Sequence, residues 1–355
     1  MHPTLLKPAS LGLSLGLLCS GQGLSAQEPP ASAKPTLLFQ TGFEEEVRLS
    51  ANPTASDTFS GVDRTVAAPN DWGIFRTKDP QGIFAGVSVA YSGGVRENRK
   101  GEIVADPVDS KNRVLRFWLN EANSKTSGRI QADVTVQANR GIRNLYEKVR
   151  LYVPESMKAL QNFPDEISHL IIAEFWNNIP WSKLSPEYPF RVSVRMGKKK
   201  GAGNELHFVV TTNEFTCVGE GENRKYTQVG LKTIDSSVPV AFGKWMTLEY
   251  YLQEGAAAAA GELPAGHFFM AVTPVGEARR VVCSLKASMH HSADTRPDGL
   301  THWAAMKLYT GGNIIAWMKS HGLAMELYYD DLQIWELKVP NQDFHGSKMA
   351  NGVTY

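Results

Sequence analysis

The feature that most narrows the fold of this 355-residue chain is a period of two. From Thr36 onward, run after run alternates apolar and polar side chains and is rich in Val, Ile, Phe, Tyr and Trp. Examples are TLLFQTGF, NRVLRFWLN, GRIQADVTV, YEKVRLYVP, FRVSVRM, ELHFVVTT, WMTLEYYLQ, HFFMAVT and MKLYT. Side chains two apart on a strand share a face, so each run reads as a strand with one side for a core. Gly, Pro, Asn and Asp between the runs supply turns. Only SMKALQNF (156–163) and NIIAWMKS (313–320) read as short helices, while GAAAAAG (255–261) and KKKGAGN (198–204) read as a loop insertion and a solvated hairpin tip. About a dozen strands with no dividing linker predict one all-β domain over 36–340, because sandwiches and barrels reach ~200–250 residues as single units.

The two ends read differently. Residues 1–26 carry a lone Lys7, the apolar core LGLSLGLLC and the small-residue pattern Leu24-Ser25-Ala26, which is the form of a secretory signal peptide. EPPASAKP within 27–35 is a linker, and 341–355 is a polar tail. The expected product is a secreted or periplasmic soluble monomer. With 42% hydrophobic residues, 21% charged residues and a formal net charge of +1, composition offers no electrostatic reason to expect nucleic acid or an anionic membrane as partner. Signal cleavage leaves Cys217 and Cys283, which are either one disulfide or two buried thiols.

Chemistry-bearing residues fall on the polar sides of these strands. In FRVSVRM, Arg191, Ser193 and Arg195 oppose Val192, Val194 and Met196; the arginines either hold carboxylates bidentately or line a solvated outer strand. In TLEYYLQ, Glu249 and Tyr251 share a side, and in MKLYT so do Lys307 and Tyr309. The run HLIIAEFWNN (169–178) is apolar apart from its ends and Glu174. Strict alternation puts Glu174 and Trp176 in one row with Leu170 and Ile172. A glutamate there is paired, as with a groove arginine such as Arg191 or Arg195, exposed on one face of the sheet, or used. Trp176 and Trp181 offer indole faces for stacking on sugar rings, or pack in the core. Trp118, Trp245, Trp303 and Trp335 are expected in the core.

LLFQTGFE, GKWMTLEYYLQEG followed by GHFFMAV, MKLYTGG and ELYYDDLQIWE, in this order, resemble the concanavalin A-like jelly rolls of the polysaccharide lyase type, such as glucuronan, heparin and alginate lyases. The resemblance spans roughly 37–337 and implies a jelly-roll β-sandwich of two antiparallel sheets, one concave and crossed by a polysaccharide groove. It implies cleavage of an acidic, uronate-containing glycan by β-elimination. Arg191 and Arg195 would hold the uronate, Tyr309 or Tyr251 would transfer protons and Lys307 would assist; His169 and Asn177 could neutralise the carboxylate. The chain departs from the family pattern in two places. Lys307 stands two rather than four residues before its tyrosine, and Glu174-x-Trp176 replaces a Q-x-H pair.

A non-catalytic carbohydrate-binding protein on the same groove is the alternative, and a glycoside hydrolase using Glu174 and Glu249 is a third reading. No cofactor is required for elimination. A structural Ca²⁺ is the metal to expect, through Glu44 in GFEEE and Asp331 in YYDDLQ, the hard oxygen donors that calcium selects. The loop carrying His290, His291, Asp294, Asp298 and His302 reads as a groove-end loop presenting a histidine, or as a zinc site.

Overall fold

In the computed structural model the alternating runs pair into two antiparallel sheets. The structure describes residues 35–52, 56–66, 70–72, 84–91, 93–136, 142–176, 190–199, 203–218, 225–255, 266–287, 300 and 302–337. The strands of the first half are β1 (Thr36–Thr41), β2 (Arg48–Ser50), β3 (Asp57–Ser60), β4 (Val62–Asp63), β5 (Asn70–Asp71), β6 (Phe84–Tyr91), β7 (Arg99–Ala105), β8 (Arg113–Leu119), β9 (Ser127–Val136) and β10 (Asn144–Tyr152). Those of the second half are β11 (Leu170–Trp176), β12 (Phe190–Gly197), β13 (His207–Val218), β14 (Lys225–Pro239), β15 (Trp245–Gln253), β16 (Gly266–Pro274), β17 (Arg280–Ala287), β18 (His302–Gly311) and β19 (Met325–Glu336).

An eight-stranded sheet runs β17-β16-β15-β10-β19-β8-β7 with β1 on β19, and a nine-stranded sheet runs β14-β13-β12-β11-β18-β9-β6-β3-β2. The chain crosses from one sheet to the other between β1 and β2, β6 and β7, β8 and β9, β9 and β10, β10 and β11, β14 and β15, β17 and β18, and β18 and β19. This two-layer crossing is that of a jelly-roll sandwich, and strand pairing is antiparallel throughout both sheets. The alternation dictates the layers. Phe190, Val192, Val194 and Met196 of β12 and Met246, Leu248, Tyr250 and Leu252 of β15 enter one continuous core. The two expected short helices form as a 3-10 turn, Glu155–Asn162, and an α-helix, Gly312–Ser320. The helix buries Ile314, Ile315 and Met318, and it lies so close to β9 that a Cβ on Gly128 would meet the Ile315 side chain at 2.5 Å.

Several residues expected in the core behave differently. Trp303 is fully buried there, and Trp245 is buried with its indole NH on Asp106, 3.1 Å from both oxygens. Trp118 and Trp335 are only partly buried. The Lys100 ammonium lies 5.2 Å over the Trp118 ring, and Trp335 packs on a second apolar cluster containing Tyr146, Tyr251, Phe269, Ala271 and Leu337. Cys283 is a buried free thiol, pushed up to about 12 by that burial, so it takes no part in a disulfide.

Candidate functional site on the nine-stranded sheet

A bulge builds the site. Between Ile171 and Ala173 the register of β11 slips against β12, and between Ile171 and Glu174 it slips against β18. Strict alternation would leave Leu170 and Ile172 in the row of Glu174. Instead Leu170, Ile172, Ala173 and Phe175 all join the core, while Glu174 and Trp176 stand on the outward side. The extra residue turns the strand over, which is how bulges re-aim side chains beside functional sites. β18 slips too, between Trp303 and Met306. Both irregular strands are tied from the core side by the Tyr329 hydroxyl, which lies 2.6 Å from the Lys307 carbonyl, 3.1 Å from the Ile172 carbonyl and 3.2 Å from the Lys307 NH.

Glu174 and Lys307 meet at the centre as a buried ion pair, 5% and 1% exposed. Glu174 also accepts from Ser193 Oγ at 3.0 Å and faces Arg191 Nε at 3.5 Å. Burial alone would raise the Glu174 carboxyl, but the Lys307 ammonium, Arg191 and Ser193 outweigh it and hold the acid below its usual range. Burial lowers Lys307, against the opposing pull of Glu174. The ammonium lies 5.4 Å from the Trp176 ring centre and 5.2 Å from that of Tyr309. This answers the question posed by a glutamate in an apolar run: it is paired, and its partner is the lysine of MKLYT rather than an arginine alone.

Around the pair, one rung of the sheet runs Arg129–Tyr309–Ile171–Arg195–Val209–Asp235 across six strands. Tyr309 is half-buried, its ring edge-on to His169 at 4.3 Å, with the Arg129 guanidinium 5.9 Å from its centre. Its hydroxyl makes no hydrogen bond to another described residue. Burial lowers His169 below the ordinary histidine range, with Glu174 pulling the other way, so the imidazole is neutral at neutral pH. Arg195 donates to Ser168 O at 2.5 Å and Thr211 Oγ1 at 2.7 Å. Trp176 is 4% exposed and packs on His302 at 4.4 Å, so its indole is committed to a neighbour rather than open for sugar stacking. His302 belongs to β18 and sits 3.3 Å from Asp133, itself held by Gln131 at 2.7 Å.

The expected residues therefore divide. Glu174, Trp176, Arg191, Arg195, His169, Lys307 and Tyr309 come together on this face. Glu249 and Tyr251 do not, because β15 belongs to the other sheet and its Leu248, Tyr250 and Leu252 point into the core. Glu249 is bonded to Arg279 at 2.6 Å and Tyr146 at 2.8 Å, and Tyr251 is buried in the second apolar cluster. Asn177, Trp181, His290, His291, Asp294 and Asp298 lie outside the described residues. Arg129, Gln131, Asp133 and Ser193 were not among the expected site residues. The alternation of GRIQADVTV puts the first three on one side, but only the pairing of β9 with β18 brings them here.

The acidic strand ends also converge. The Glu44, Asp63 and Asp331 side chains all approach Gly42, and Asp331 and Glu45 hold left-handed backbone at φ 47° and 48°. These carboxylates are already occupied. Asp63 accepts from Gly42 N at 2.6 Å and from Thr65, Glu44 accepts from Arg113 N at 2.8 Å, and Arg150 bridges Asp330 and Asp331 at 3.4 and 3.2 Å. Among the described residues no group of three or more His, Cys, Asp or Glu side chains is disposed to hold a metal ion.

No family model and no curated protein matches the chain. Among solved structures it is similar to the PL-14 alginate lyase of Aplysia kurodai, at 12% identity over 65% of this chain and 86% of that one, with a TM-score of 0.37. It is similar to alginate lyase Aly36B, a mutant in complex with alginate tetrasaccharide, at 11% identity over 87% and 100% of the two chains, with a TM-score of 0.45. A third is the exoplasmic/lumenal domain of VIP36 in a Ca²⁺- and mannose-bound form, at 10% identity, 69% and 84% coverage and a TM-score of 0.34. The chemistry of this chain rests on its own side chains.

Proposed function

We propose that the chain is a polysaccharide lyase that cleaves an acidic, uronate-containing glycan on the outward face of the nine-stranded sheet. The observation that carries this reading is the half-buried Tyr309, its hydroxyl without a hydrogen bond to another described residue, between Arg129 and Arg195 on one rung and edge-on to a neutral His169. β-Elimination needs three things: a base for the proton beside the carboxylate, cations to neutralise that carboxylate, and an acid for the leaving oxygen. His169 accepts the carbon-bound proton, and Arg191 and Arg195 hold the carboxylate. Tyr309 gives its proton to the departing glycosidic oxygen, which leaves an unsaturated uronate at the new end. Proton return from His169 to Tyr309 through water resets the site. Lys307, sealed beneath and paired with Glu174, acts through its charge and its hold on the strand.

Two-carboxylate hydrolysis is disfavoured on geometry. It needs both carboxyls about 5–9.5 Å apart around one bond, whereas Glu174 and Glu249 stand on the outward sides of different sheets. The apolar N-terminal run, read as an export signal, suits a substrate met outside the cytoplasm; among the described residues no helix is long and apolar enough to cross a membrane.

The test is the ultraviolet absorbance of unsaturated uronate when purified protein meets a panel of acidic glycans. Product that disappears in Tyr309→Phe supports the reading. Glycan binding that survives Tyr309→Phe with no product at any pH would instead identify a carbohydrate-binding protein.

A further inference from the structure

On the side of Tyr309 away from Arg195, the described pairing of β6 with β9 ends at Tyr91 and Ile130, one residue short of Arg129. A side chain takes over from the strand. The Asn123 amide oxygen accepts from Arg129 N at 2.8 Å, and its nitrogen donates to Arg129 O at 2.9 Å. Asn123 is 4% exposed and is closed in by Gly94 at φ 74°, where a Cβ would meet Asn123 Cβ at 2.5 Å. Arg129 is thus fixed at its backbone while its half-buried head group is uncommitted. It forms no ion pair and no side-chain hydrogen bond with a described residue, and its Nε is buried. The charge around it is in excess. On β9, β18, β11 and β12 four cations, Arg129, Arg191, Arg195 and Lys307, share the outward face with two carboxylates, Glu174 and Asp133. Glu174 is taken up by Lys307, and Asp133 faces His302 at 3.3 Å. Arg195 donates only to the neutral oxygens of Ser168 and Thr211 and so keeps its full charge; Asp235 beyond it is paired with Lys199 at 2.5 Å.

We infer that Arg129 reads an anionic group, a carboxylate or a sulfate ester, on the sugar across the scissile bond from the uronate. The preferred glycan then carries an acid on both sides of the bond that breaks. The inference rests on the reading that Tyr309 gives its proton at that bond and that Arg195 lies on the uronate side. Arg129 is one strand from Tyr309 and Arg195 is two strands away in the other direction. At ~4.8 Å per spacing the two backbones bracket the phenol across ~14 Å, and each guanidinium rides on a flexible stem that reaches inward toward adjacent sugars. The planar fork grips a carboxylate or a sulfate through two parallel bonds. A neutral sugar beside Arg129 leaves that cation shielded from water and unpaired, the situation in which a site built for polar contact discriminates most strongly.

Calorimetric titration of the full chain carrying Tyr309→Phe, which blocks turnover, tests this with three hexasaccharides. One is polyglucuronate, one alternates glucuronate with N-acetylglucosamine, and one alternates glucuronate with 6-sulfated N-acetylglucosamine. Polyglucuronate, the sulfated probe or both should bind about tenfold tighter than the unsulfated alternating probe, and whichever does so identifies the group that Arg129 takes. Adding Arg129→Gln should bring all three within about twofold by weakening only the acid-rich probes, and Arg129→Glu should invert the order. The exposed Lys111→Gln, which removes one charge from the β7–β8 loop of the other sheet, should leave the ratios alone. Equal affinities, a preference for the unsulfated probe, no binding of any probe, Arg129 variants that keep the ratio, or an equal loss with Lys111→Gln would overturn the inference. Two results separate it from the chemistry at Tyr309. An Arg129-dependent preference in a protein whose wild type makes no unsaturated product would keep this inference and sink the elimination. Unsaturated product formed equally from all three probes, unchanged in Arg129→Gln, would do the reverse.

Discussion

The outward faces of the two sheets carry nearly the same ingredients and use them oppositely. On the nine-stranded sheet a buried glutamate, Glu174, is paired with Lys307 beside Tyr309; on the eight-stranded sheet a buried glutamate, Glu249, is paired with Arg279 beside Tyr146 and Tyr251. The difference lies in what covers the phenols. Tyr146 donates to Glu249 at 2.8 Å, and Tyr251 lies 3.3 Å from both Asn144 and Gln253 under Phe269 and Leu337. Tyr309 has histidine and guanidinium around its ring and, among the described residues, no hydrogen-bond partner for its oxygen. The first arrangement is consumed in holding the sheet, and the second leaves a proton donor for a ligand.

The sharpest way to break this contrast is Tyr309→Phe. It should lower kcat for unsaturated product by roughly 10²–10⁴-fold with an unchanged melting temperature, as expected for a proton-transferring group. The acid limb of the kcat/KM profile should lie below the ordinary histidine range, because burial lowers His169, and should vanish in His169→Gln. A limb within the ordinary range would remove His169 from the scheme.

Next in size is the ion pair. Removing one partner of a buried pair costs about 3–5 kcal/mol, while replacing both is far milder. Glu174→Gln should be the worse single change, since it strands Lys307 at 1% exposure with Asp133 as the remaining anion acting on it. Lys307→Met leaves Glu174 with Arg191 and Ser193. Urea midpoints should therefore rank wild type above Lys307→Met above Glu174→Gln, with the double variant recovering part of the loss; strict additivity would show that the two residues do not act as a pair.

Between the two faces, the core holds a second test. Glu147 is fully buried, receives the Trp303 indole NH at 2.8 Å, and is pushed up to about 8 by burial. Its folded value lies above its unfolded one, so its contribution to stability is fully present below about pH 4.5 and is lost as pH rises through about 8. Urea midpoints measured from about pH 5 to about pH 9 should fall, and Glu147→Gln should flatten that fall. A slope that survives the substitution would assign it to other groups.

How much of this was legible follows the same contrast. Alternation correctly divided β12 and β15 into faces, because a period of two is a local property of the backbone. It failed in β11, where one unpaired residue between Ile171 and Glu174 reverses the row; no residue in HLIIAEFW announces the bulge, which depends on β12, β18 and the Tyr329 hydroxyl. It also could not tell MKLYT from TLEYY. Both place a tyrosine two residues from a charge, and only sheet order decides that one meets Glu174 while the other packs under Phe269. The lysine–glutamate pairing spans 133 positions of sequence, beyond any local signal.

Tyr251→Phe is the smallest expected effect and the cleanest control. Its hydroxyl contacts are long, so losing them should cost about 1 kcal/mol or less, seen as a melting shift of at most a few degrees. The ring stays in its apolar cluster, and activity should stay at the wild-type level because the hydroxyl points to Asn144 and Gln253 on the eight-stranded sheet. The pair of tyrosine variants thus separates rate from stability: one should lose product at constant melting temperature, the other should lose a little stability at constant rate. If Tyr251→Phe abolished product while melting normally, the two faces would have been assigned the wrong way round, and Glu249 with Arg279 would become the charged pair beneath the chemistry.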